Sequence, residues 1–508
     1  MPITWDVLGG WGQHNPSLAL DFRRFIADVA ADFLELQASI LRQFAPNIPL
    51  THNCMGTYEN VDYSRFGRAL DVISFDNYPF SWWGGSSPPN FLEADETRMY
   101  GTALQATVMR GARSQKPFFV TEEQASNTGQ DRLYGSGTVE LYRVGVWQMV
   151  ANGADGVQFF RWRTTRTGTE QHWEGVLNYD SNTNTRRYRG VQRIGAEFQR
   201  ATAAVFGQPV RARVALLYSV ETRWALMEQQ LTTVPVDVIP QMVSLLGAFR
   251  ANRVGVDAIF VPADVGNGPP QLPADFNLSS YDIVLAPTLY VLPDNVAAAI
   301  SDFVAQGGAL LTSMRSGAKT SANNYVSSPL PGAFANLAGV TMDEWDPLCS
   351  LGQTTIVAAA GGATFAIPQT RKGETGMGGL LCEVLVPGAD TETLATYQDG
   401  YHAGAPVVTR KGRVIYVGTL GRDMAFYEWL AGLLAASVGV PFGPRLPYGV
   451  EMTQRGNATL LLNFGGSNAT IPLPACGAAN CTEVLSGAGV GGAGVVLGPY
   501  DVAVVQSV

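Results

Sequence analysis

Two adjacent carboxylates, Glu122 and Glu123, close a short apolar run that begins at Lys116. A carboxylate at the end of a rigid strand can act as a nucleophile or a base at the mouth of a concave site. Neighbouring side chains on an extended segment point in opposite directions, so only one of the two can face such a site. Paired acids are also common in ordinary loops, and this pair alone therefore does not establish chemistry.

Polar and aromatic residues also stand at the ends of the neighbouring predicted strands. They are Asn53, Asp76-Asn77-Tyr78, Arg161-Trp162 and, shortly afterwards, Glu170. Aromatic rings with a few aimed polar groups suit sugar binding, because apolar ring faces stack on CH surfaces while the hydroxyls need partners. We therefore take Asn53 as a candidate substrate-binding residue. His52 and His172 are isolated, which favours surface or packing roles, and the sequence predicts no metal site.

The segment that must position these groups alternates helices and strands. Asn15-Pro16 predicts a helix start, with Asn as the N-cap, and apolar residues then recur at helical spacing up to Ala45-Pro46. Strands are predicted at 48–53, 71–80, 118–122 and 156–160, and helices at 93–114, 138–153 and 188–205.

Four strand–helix repeats indicate part of a (β/α)8 TIM barrel. A closed barrel needs eight strands, typically in about 250 residues, and four strands alone leave their edges uncovered. We expect residues 1–207 to form the carboxyl-terminal half of such a barrel, in a chain that lacks the first half. A second copy that completes the barrel is the alternative.

The pattern changes twice beyond residue 208. Residues 208–444 alternate apolar strands with helices and predict a second α/β domain with a doubly wound sheet. No glycine-rich phosphate-binding fingerprint follows its first strand, so a nucleotide site is not expected. Residues 445–508 contain short apolar strands separated by Gly and Asn turns, and they predict a small β-sandwich.

Composition narrows the class of protein. The 508-residue chain has a net charge of −9 and is 46% apolar and 15% charged, as ordinary globular proteins are. It has no basic run suited to nucleic acid, no apolar run long enough for a bilayer and no signal-peptide pattern at its amino terminus. The five cysteines lack paired metal-ligand spacing. Cys476 and Cys481 could form a small disulfide, although we favour two free thiols.

Several long motifs resemble the family-42 glycoside hydrolases, the β-galactosidases of that group. They are ALDFRRF from Ala19, DVISFDNYPF from Asp71, KPFFVTEE from Lys116, ADGVQFFRWRTTRTGTEQHW from Ala154, SSYDIVLAPTLYVL from Ser279 and GVEMTQRGNATLLLNF from Gly449. The resemblance covers nearly the whole chain. It implies a retaining β-galactosidase acting on a small galactoside, with a flavodoxin-like domain that mediates homotrimer formation and a carboxyl-terminal β-domain. We expect no cofactor, no nucleic-acid partner and no membrane contact.

The resemblance assigns the nucleophile. In the family this residue stands five positions after the Pro of a Lys-Pro-Phe strand, and counting from Pro117 gives Glu122, not Glu123. Tyr78 matches the tyrosine of the family's Asp-Asn-Tyr-Pro strand end, which lies close to the nucleophile.

The resemblance also assigns substrate-binding residues, with two departures. Glu170 matches the glutamate that holds galactose hydroxyls, and Trp173 matches a sugar-binding position. Gln130 stands where a Trp is usual, and Glu174 stands where a His is often found. Both departures affect the expected substrate preference.

One part of the expected machinery has no counterpart in the sequence. Retaining hydrolysis needs an acid/base and a nucleophile about 5 Å apart, and in the resembling family the acid/base follows an Asn at the end of the fourth barrel strand. This chain contains no Asn-Glu dipeptide. We therefore expect it to begin after that strand and to be inactive as given. The alternatives are a non-catalytic sugar-binding or assembly remnant, and a related glycosidase that acts on arabinosides.

Overall fold

The structure is a computed structural model and describes most of the chain. The described residues are 15–79, 96–129, 137–231, 236–263, 272–273, 276–346, 354–367, 381–400, 402–420, 423–477 and 481–507. Among them, no helix combines the length and the apolar character that a bilayer crossing requires.

The first region alternates helices with four parallel strands. Its elements are α1 (Pro16–Phe44), β1 (Thr51–Cys54), α2 (Tyr63–Phe66), β2 (Val72–Asn77), α3 (Glu96–Gly111), β3 (Phe118–Gln124), α4 (Val139–Ala151), β4 (Ala154–Phe160) and α5 (Arg186–Val205). The strands form one sheet in the order β1-β2-β3-β4, and every neighbouring pair is parallel. The four strands predicted from the sequence are therefore confirmed.

The start of α1 follows from its sequence. The Asn15 side chain accepts a hydrogen bond from the Ser17 amide at 2.9 Å, which satisfies one of the free N–H groups of the first turn. Pro16 occupies the first helical position, where no N–H is needed. The helix ends at Phe44, immediately before Ala45-Pro46.

The two faces of the four-stranded sheet differ in their surroundings. Phe75, Phe118 and Val120 are buried in the same core cluster as residues of α3 and α4. Residues 51–53 of β1 and Gln158 of β4 are exposed instead. Within the described residues, β1 and β4 each pair with only one strand, so both edges of this sheet are open.

The second region contains a mixed sheet of nine strands. Its elements are β5 (Val214–Tyr218), α6 (Val220–Glu228), α7 (Ile239–Ala251), β6 (Val256–Phe260), β7 (Ile283–Ala286), α8 (Asp294–Ala305), β8 (Ala309–Ser313), α9 (Ala335–Ala338), β9 (Val340–Asp346), β10 (Thr354–Ala358), β11 (Thr364–Ile367), β12 (Cys382–Pro387), β13 (Glu392–Tyr397), β14 (Pro406–Lys411), β15 (Val414–Val417) and α10 (Met424–Ser437). The five parallel strands run β6-β5-β7-β8-β15, which is the 2-1-3-4-5 order of flavodoxin-like sheets.

The third region is antiparallel. Its strands are β16 (Val450–Arg455), β17 (Ala458–Asn463), β18 (Ala469–Ile471), β19 (Cys481–Glu483), β20 (Ala488–Val490), β21 (Val495–Leu497) and β22 (Val502–Ser507). A five-stranded sheet and the β18-β21 pair share one core that includes Leu461, Ile471 and Leu497. Cys476 and Cys481 form a disulfide with a Cα–Cα distance of 5.4 Å. The preference for two free thiols was therefore wrong, because the two Cα atoms lie within the range that a disulfide spans.

One buried guanidinium joins the three regions. Arg250 of α7 lies 2.9 Å from a carboxylate oxygen of Glu451 on β16. The same side chain donates to Asn152 Oδ1 at 2.6 Å and to Thr107 Oγ1 at 2.8 Å, both in the first region. All four side chains are buried, so the charge of Arg250 is balanced within the protein.

Candidate active site

A bulge in β3 directs Glu122 towards the open face of the first sheet. Phe75 of β2 pairs with Val120, but the next residue, Asp76, pairs with Glu122, so Thr121 is an extra residue on β3. Such a bulge reverses the side-chain alternation that follows it. Glu122 is consequently half-buried beside Asp76, rather than packed against the helices with Val120.

Glu122 is held by a short hydrogen bond from Tyr78. The Tyr78 hydroxyl donates to Glu122 Oε2 at 2.7 Å. Burial, and then the hydrogen bond to the Glu122 carboxylate, raise the pKa of the Tyr78 phenol, so the hydroxyl remains a proton donor. The contact fixes one oxygen of the Glu122 carboxylate and leaves the other available.

The neighbouring acid has different surroundings. The Glu123 side chain is fully buried and accepts a hydrogen bond from Asn77 Nδ2 at 2.9 Å. Burial raises the pKa of Glu123 to about 8, and the Asn77 hydrogen bond opposes this only in part. Glu123 is therefore protonated at neutral pH and is hydrogen-bonded to Asn77 rather than to Tyr78, which leaves Glu122 as the carboxylate of this pair on the open face.

A second carboxyl group stands beside Glu122 on β2. Asp76 accepts a hydrogen bond from Asn53 Nδ2 at 3.0 Å, so the structure brings the predicted strand ends of β1 and β2 together. Burial, and secondarily the negative charge of Glu122, raise the pKa of Asp76 to about 7. Its Oδ1 atom is buried without a hydrogen-bond partner in the described part of the chain. The sequence indicated this residue only as part of a polar strand end.

Aromatic side chains form one wall of the site. The Tyr78 and Trp173 rings meet edge to face with centroids 5.3 Å apart, and Trp173 meets Phe160 in the same way at 5.6 Å. The Trp173 indole N–H is buried and has no partner among the described residues. Phe160 was not singled out from the sequence; its place as the last residue of β4 is the signal that could have identified it.

Glu170 is held at the end of this wall by Arg161. The Arg161 guanidinium forms an ion pair with Glu170 and lies 4.8 Å from the centre of the Phe160 ring. Because Glu170 already has a cationic partner, it is positioned rather than free to rotate. Trp162 is turned outwards instead: its side chain is 61% exposed and meets the Tyr188 ring.

The two departures from the resembling family differ in what the structure shows. Glu174 accepts hydrogen bonds from Ser126 Oγ at 2.7 Å and from Arg187 Nη1 at 3.0 Å, which gives it a structural role in the loop after β4. Gln130 lies outside the described residues.

Together these contacts form a continuous line across the carboxyl ends of β2, β3 and β4. It connects Glu122, Tyr78, Trp173, Phe160, Arg161 and Glu170, with Asn53 and Asp76 adjoining at β1 and β2. A fixed carboxylate beside aromatic faces suits covalent catalysis on a sugar ring. In the ranges that the structure describes, no group of three or more His, Cys, Asp or Glu side chains could hold a metal ion.

Comparison with known proteins places this arrangement in a family. The β-galactosidase family profile matches residues 10–201, and the β-galactosidase trimerisation domain profile matches residues 212–441. The chain is 32% identical to β-galactosidase BglY of Alicyclobacillus acidocaldarius over 88% of its own length and 62% of that protein. It is 30% identical to β-galactosidase BgaH of Haloferax lucentense, over 91% of its own length and 65% of that protein.

Solved structures agree with the sequence matches. The β-galactosidase of Bacillus circulans sp. alkalophilus superposes with a TM-score of 0.85 at 26% identity, over 99% of this chain and 70% of that one. The chain thus spans roughly two thirds of the length of these relatives. With two consecutive profiles of one family matched across both α/β regions, the chain belongs to the family-42 glycoside hydrolases.

Proposed function

We propose that this chain carries the nucleophile half of a retaining β-galactosidase, which hydrolyses terminal β-D-galactosides through a glycosyl-enzyme intermediate. The observation that carries the proposal is the 2.7 Å hydrogen bond from Tyr78 to Glu122 at the open ends of the parallel strands. Family membership supports the substrate class, because the matching relatives are named β-galactosidases.

In the proposed first step, a Glu122 oxygen forms a bond to the anomeric carbon as the bond from that carbon to the leaving oxygen breaks. A second carboxyl group, the acid/base, gives its proton to the leaving oxygen. Water then attacks the anomeric carbon, releases Glu122 and returns a proton to the acid/base. Tyr78 keeps the Glu122 carboxylate oriented during both steps.

The remaining site residues bind the sugar in this proposal. Trp173 offers a ring for stacking, and its unpartnered indole N–H can donate to a hydroxyl. Glu170, oriented by Arg161, accepts hydrogen bonds from galactose hydroxyls, and Asn53 contacts the substrate beside Asp76. A site built to pair buried polar groups with hydroxyls rejects sugars that lack them.

We infer that the four-stranded sheet is the last half of an eight-stranded barrel. Both of its edges are open within the described residues, and a retaining site needs its acid/base about 5 Å from Glu122. We place that acid/base on the half of the barrel that faces β1. The proposed domains are 1–207 for the half-barrel, 208–444 for the flavodoxin-like domain and 445–508 for the carboxyl-terminal β-domain. The match to a trimerisation domain supports a homotrimer, which sedimentation would test.

The test compares the 508-residue chain with a chimera that also contains the part of the Alicyclobacillus relative not matched by this chain. We expect negligible turnover of a nitrophenyl galactoside by the chain alone and clear turnover by the chimera. Glu122→Gln in the chimera should lower kcat by about 10⁴-fold, equivalent to ~5 kcal/mol, because the uncharged amide is too weak a nucleophile to form the bond to the anomeric carbon.

Mass mapping of the chimera after treatment with a 2-fluorogalactoside should place the sugar on the peptide that contains Glu122. Robust turnover by the 508-residue chain alone, or labelling of a different residue, would overturn the proposal. A sugar-binding remnant would bind galactose without any turnover in either form. The remaining alternative is a related glycosidase that acts on arabinosides, and it is motivated by Glu174, which stands where the family often has a His. Assays of arabinosides and galactosides side by side test it.

A further inference from the structure

Asp76 and Glu122 are two carboxyl groups that stand side by side on neighbouring strands. The register of β2 against β3 sets Asp76 opposite Glu122, because Thr121 is the extra residue of the bulge. Neighbouring strands lie about 4.8 Å apart, and paired residues of a parallel ladder share one face of the sheet. The closeness of these two carboxyl groups is therefore fixed by the backbone register.

Each carboxyl group of the pair is held through one oxygen. Asp76 Oδ2 accepts a hydrogen bond from Asn53 Nδ2 at 3.0 Å, and Glu122 Oε2 accepts one from the Tyr78 hydroxyl at 2.7 Å. Asp76 Oδ1 is buried and has no hydrogen-bond partner within the described residues. A buried charged oxygen without a donor is unfavourable, whereas a protonated carboxyl group carries no charge there. These contacts favour a neutral Asp76 beside an ionised Glu122.

No cation balances the pair in the part of the chain that the structure describes, where neither Asp76 nor Glu122 takes part in an ion pair. The other side chains that interact with Asp76 are uncharged at neutral pH: Asn53 and Cys54 of β1, Tyr63 of α2 and Tyr78. Burial, and then the charge of Glu122, raise the pKa of Asp76 to about 7, which the Asn53 hydrogen bond opposes in part. Two carboxyl groups placed in this way share one proton below that pH.

The proposed reaction removes one of the two charges. When a Glu122 oxygen forms its bond to the anomeric carbon, the carboxylate becomes an uncharged ester. The repulsion that favoured a protonated Asp76 is then absent, so Asp76 gives its proton to water. Hydrolysis of the ester restores the charge of Glu122, and Asp76 takes up a proton again.

We propose that Asp76 is the proton-holding partner of the nucleophile: it carries a proton while Glu122 is a free carboxylate and releases it when Glu122 is glycosylated. This inference rests on the proposed function, because that function makes Glu122 the nucleophile. Asp76 acts through Glu122 and is therefore a positioning residue. The competing role is that Asp76 itself protonates the leaving oxygen, and the test separates the two.

The first measurement uses the 508-residue chain and detects the proton on Asp76. The raised pKa of Asp76 stabilises the folded protein at low pH, and this contribution is lost as pH rises from about 4 to 7. Asp76→Asn lacks the group that titrates. Between pH 5 and pH 8, the folding equilibrium constant of the variant relative to that of the parent should therefore rise by at least about tenfold in urea unfolding. A constant ratio would overturn the inference.

The second measurement follows the chemical step in the chimera of the proposed function. The probe is 2,4-dinitrophenyl 2-deoxy-2-fluoro-β-galactoside, whose leaving group departs as a phenolate with the electron pair of the broken bond and needs no proton. A negative Asp76 raises the free energy of the Glu122 carboxylate but not that of the ester. The rate constant for labelling of Glu122 should therefore rise by roughly tenfold between pH 5.5 and pH 8.

Three variants assign this rise in rate. Asp76→Asn should keep the rate at the low-pH value of the parent throughout, because the amide does not ionise. Asn53→Ala should keep the rise but move its midpoint to higher pH, because the Asn53 hydrogen bond favours the ionised form of Asp76. Glu123→Gln is the matched control, since it replaces a buried carboxyl group that is bonded to Asn77, and it should keep both the rise and its midpoint.

The outcomes distinguish the inference from the function on which it rests. Loss of the rise in Asp76→Asn, together with the shifted midpoint in Asn53→Ala, supports the inference. A rise that persists in Asp76→Asn overturns it. A flat profile in the parent also overturns it, in favour of the competing role if Asp76→Asn then slows only substrates with poor leaving groups. No label, or a label on a residue other than Glu122, contradicts the proposed function and the inference with it.

Discussion

Strands β2 and β3 end beside Tyr78 and Glu122, whereas strands β7 and β8 end beside Thr288 and Ser313. In the second sheet, Gln241 donates to Ser313 Oγ at 3.1 Å and accepts from Thr288 Oγ1 at 3.1 Å. The Thr288 amide also donates to Ser313 Oγ at 2.8 Å, and all three residues are fully buried. The carboxyl ends of these strands are thus closed by the protein's own side chains.

The first sheet leaves the corresponding position open. Asp76 and Trp173 each keep a buried polar atom without a partner within the described residues, and Glu122 is half-buried. In parallel sheets, ligands generally bind beyond the carboxyl ends of the strands. The comparison teaches that strand order alone does not create a site; unsatisfied polar groups beside open space do.

The largest expected change in the free energy of unfolding concerns Glu123, a fully buried residue of the first sheet. Its raised pKa of about 8 means that the folded protein holds a proton that the unfolded chain releases above about pH 4.5. The free energy of unfolding should therefore fall as pH rises from about 4.5 to 8. Glu123→Gln should abolish this dependence and stabilise the protein by on the order of 3 kcal/mol at pH 8.5.

Urea unfolding at pH 5 and pH 8.5 measures the effect of Glu123→Gln. The variant and the parent should have nearly equal stability at pH 5, where the carboxyl is protonated in the folded state. Parallel pH profiles for the two proteins would contradict the assignment of Glu123 as a buried neutral acid.

A smaller effect is expected where the second sheet is closed. Gln241→Ala leaves the Thr288 and Ser313 hydroxyls short of partners and creates a cavity, so stability should fall by about 2–3 kcal/mol. Thermal or urea unfolding measures this change. Gln230→Ala, at an exposed position of the same region, should change stability by less than about 0.5 kcal/mol and serves as the control.

The smallest expected effect concerns the hydrogen bond from Tyr78 to Glu122 in the first sheet. Tyr78→Phe removes the hydroxyl that orients Glu122, and kcat of the completed enzyme should fall by about tenfold with little change in KM. Steady-state assays on a galactoside provide both constants. Tyr188→Phe alters a tyrosine that packs beside the outward-facing Trp162, so its kinetics should match the parent. An equal loss in both variants would remove the special role of Tyr78.

Local sequence signals predicted the elements but not how they are covered. The cap at Asn15-Pro16 and the order of the four strands follow from short-range chemistry, and the structure confirms both. The apolar periodicity of α1 also predicted a helix. It could not indicate that the small residues such as Ala31 would be buried while the larger Phe33 stays exposed, because that depends on which neighbours are present.

For the site, the sequence likewise identified the main residues but not all of the contacts that position them. Glu122 and Tyr78 were identified by their positions in long motifs, and the structure brings them together. Simple alternation along β3 would place Glu122 on the same side as Val120, and only the bulge at Thr121 reverses this. The pairing of Arg161 with Glu170 depends on the path of the loop after β4, for which the sequence carries no short-range signal.

Arg250 has a consequence for cooperativity. Its ligands come from three parts of the chain, Thr107 and Asn152 from the first and Glu451 from the third, while Arg250 belongs to the second. Separating the second part from the third leaves a buried charge without its partner, at a cost of about 3–5 kcal/mol, and opening the first part removes two neutral hydrogen-bond partners of Arg250. The three parts should therefore melt together in a single calorimetric transition, and a proteolytic cut between them would release no piece that stays folded by itself.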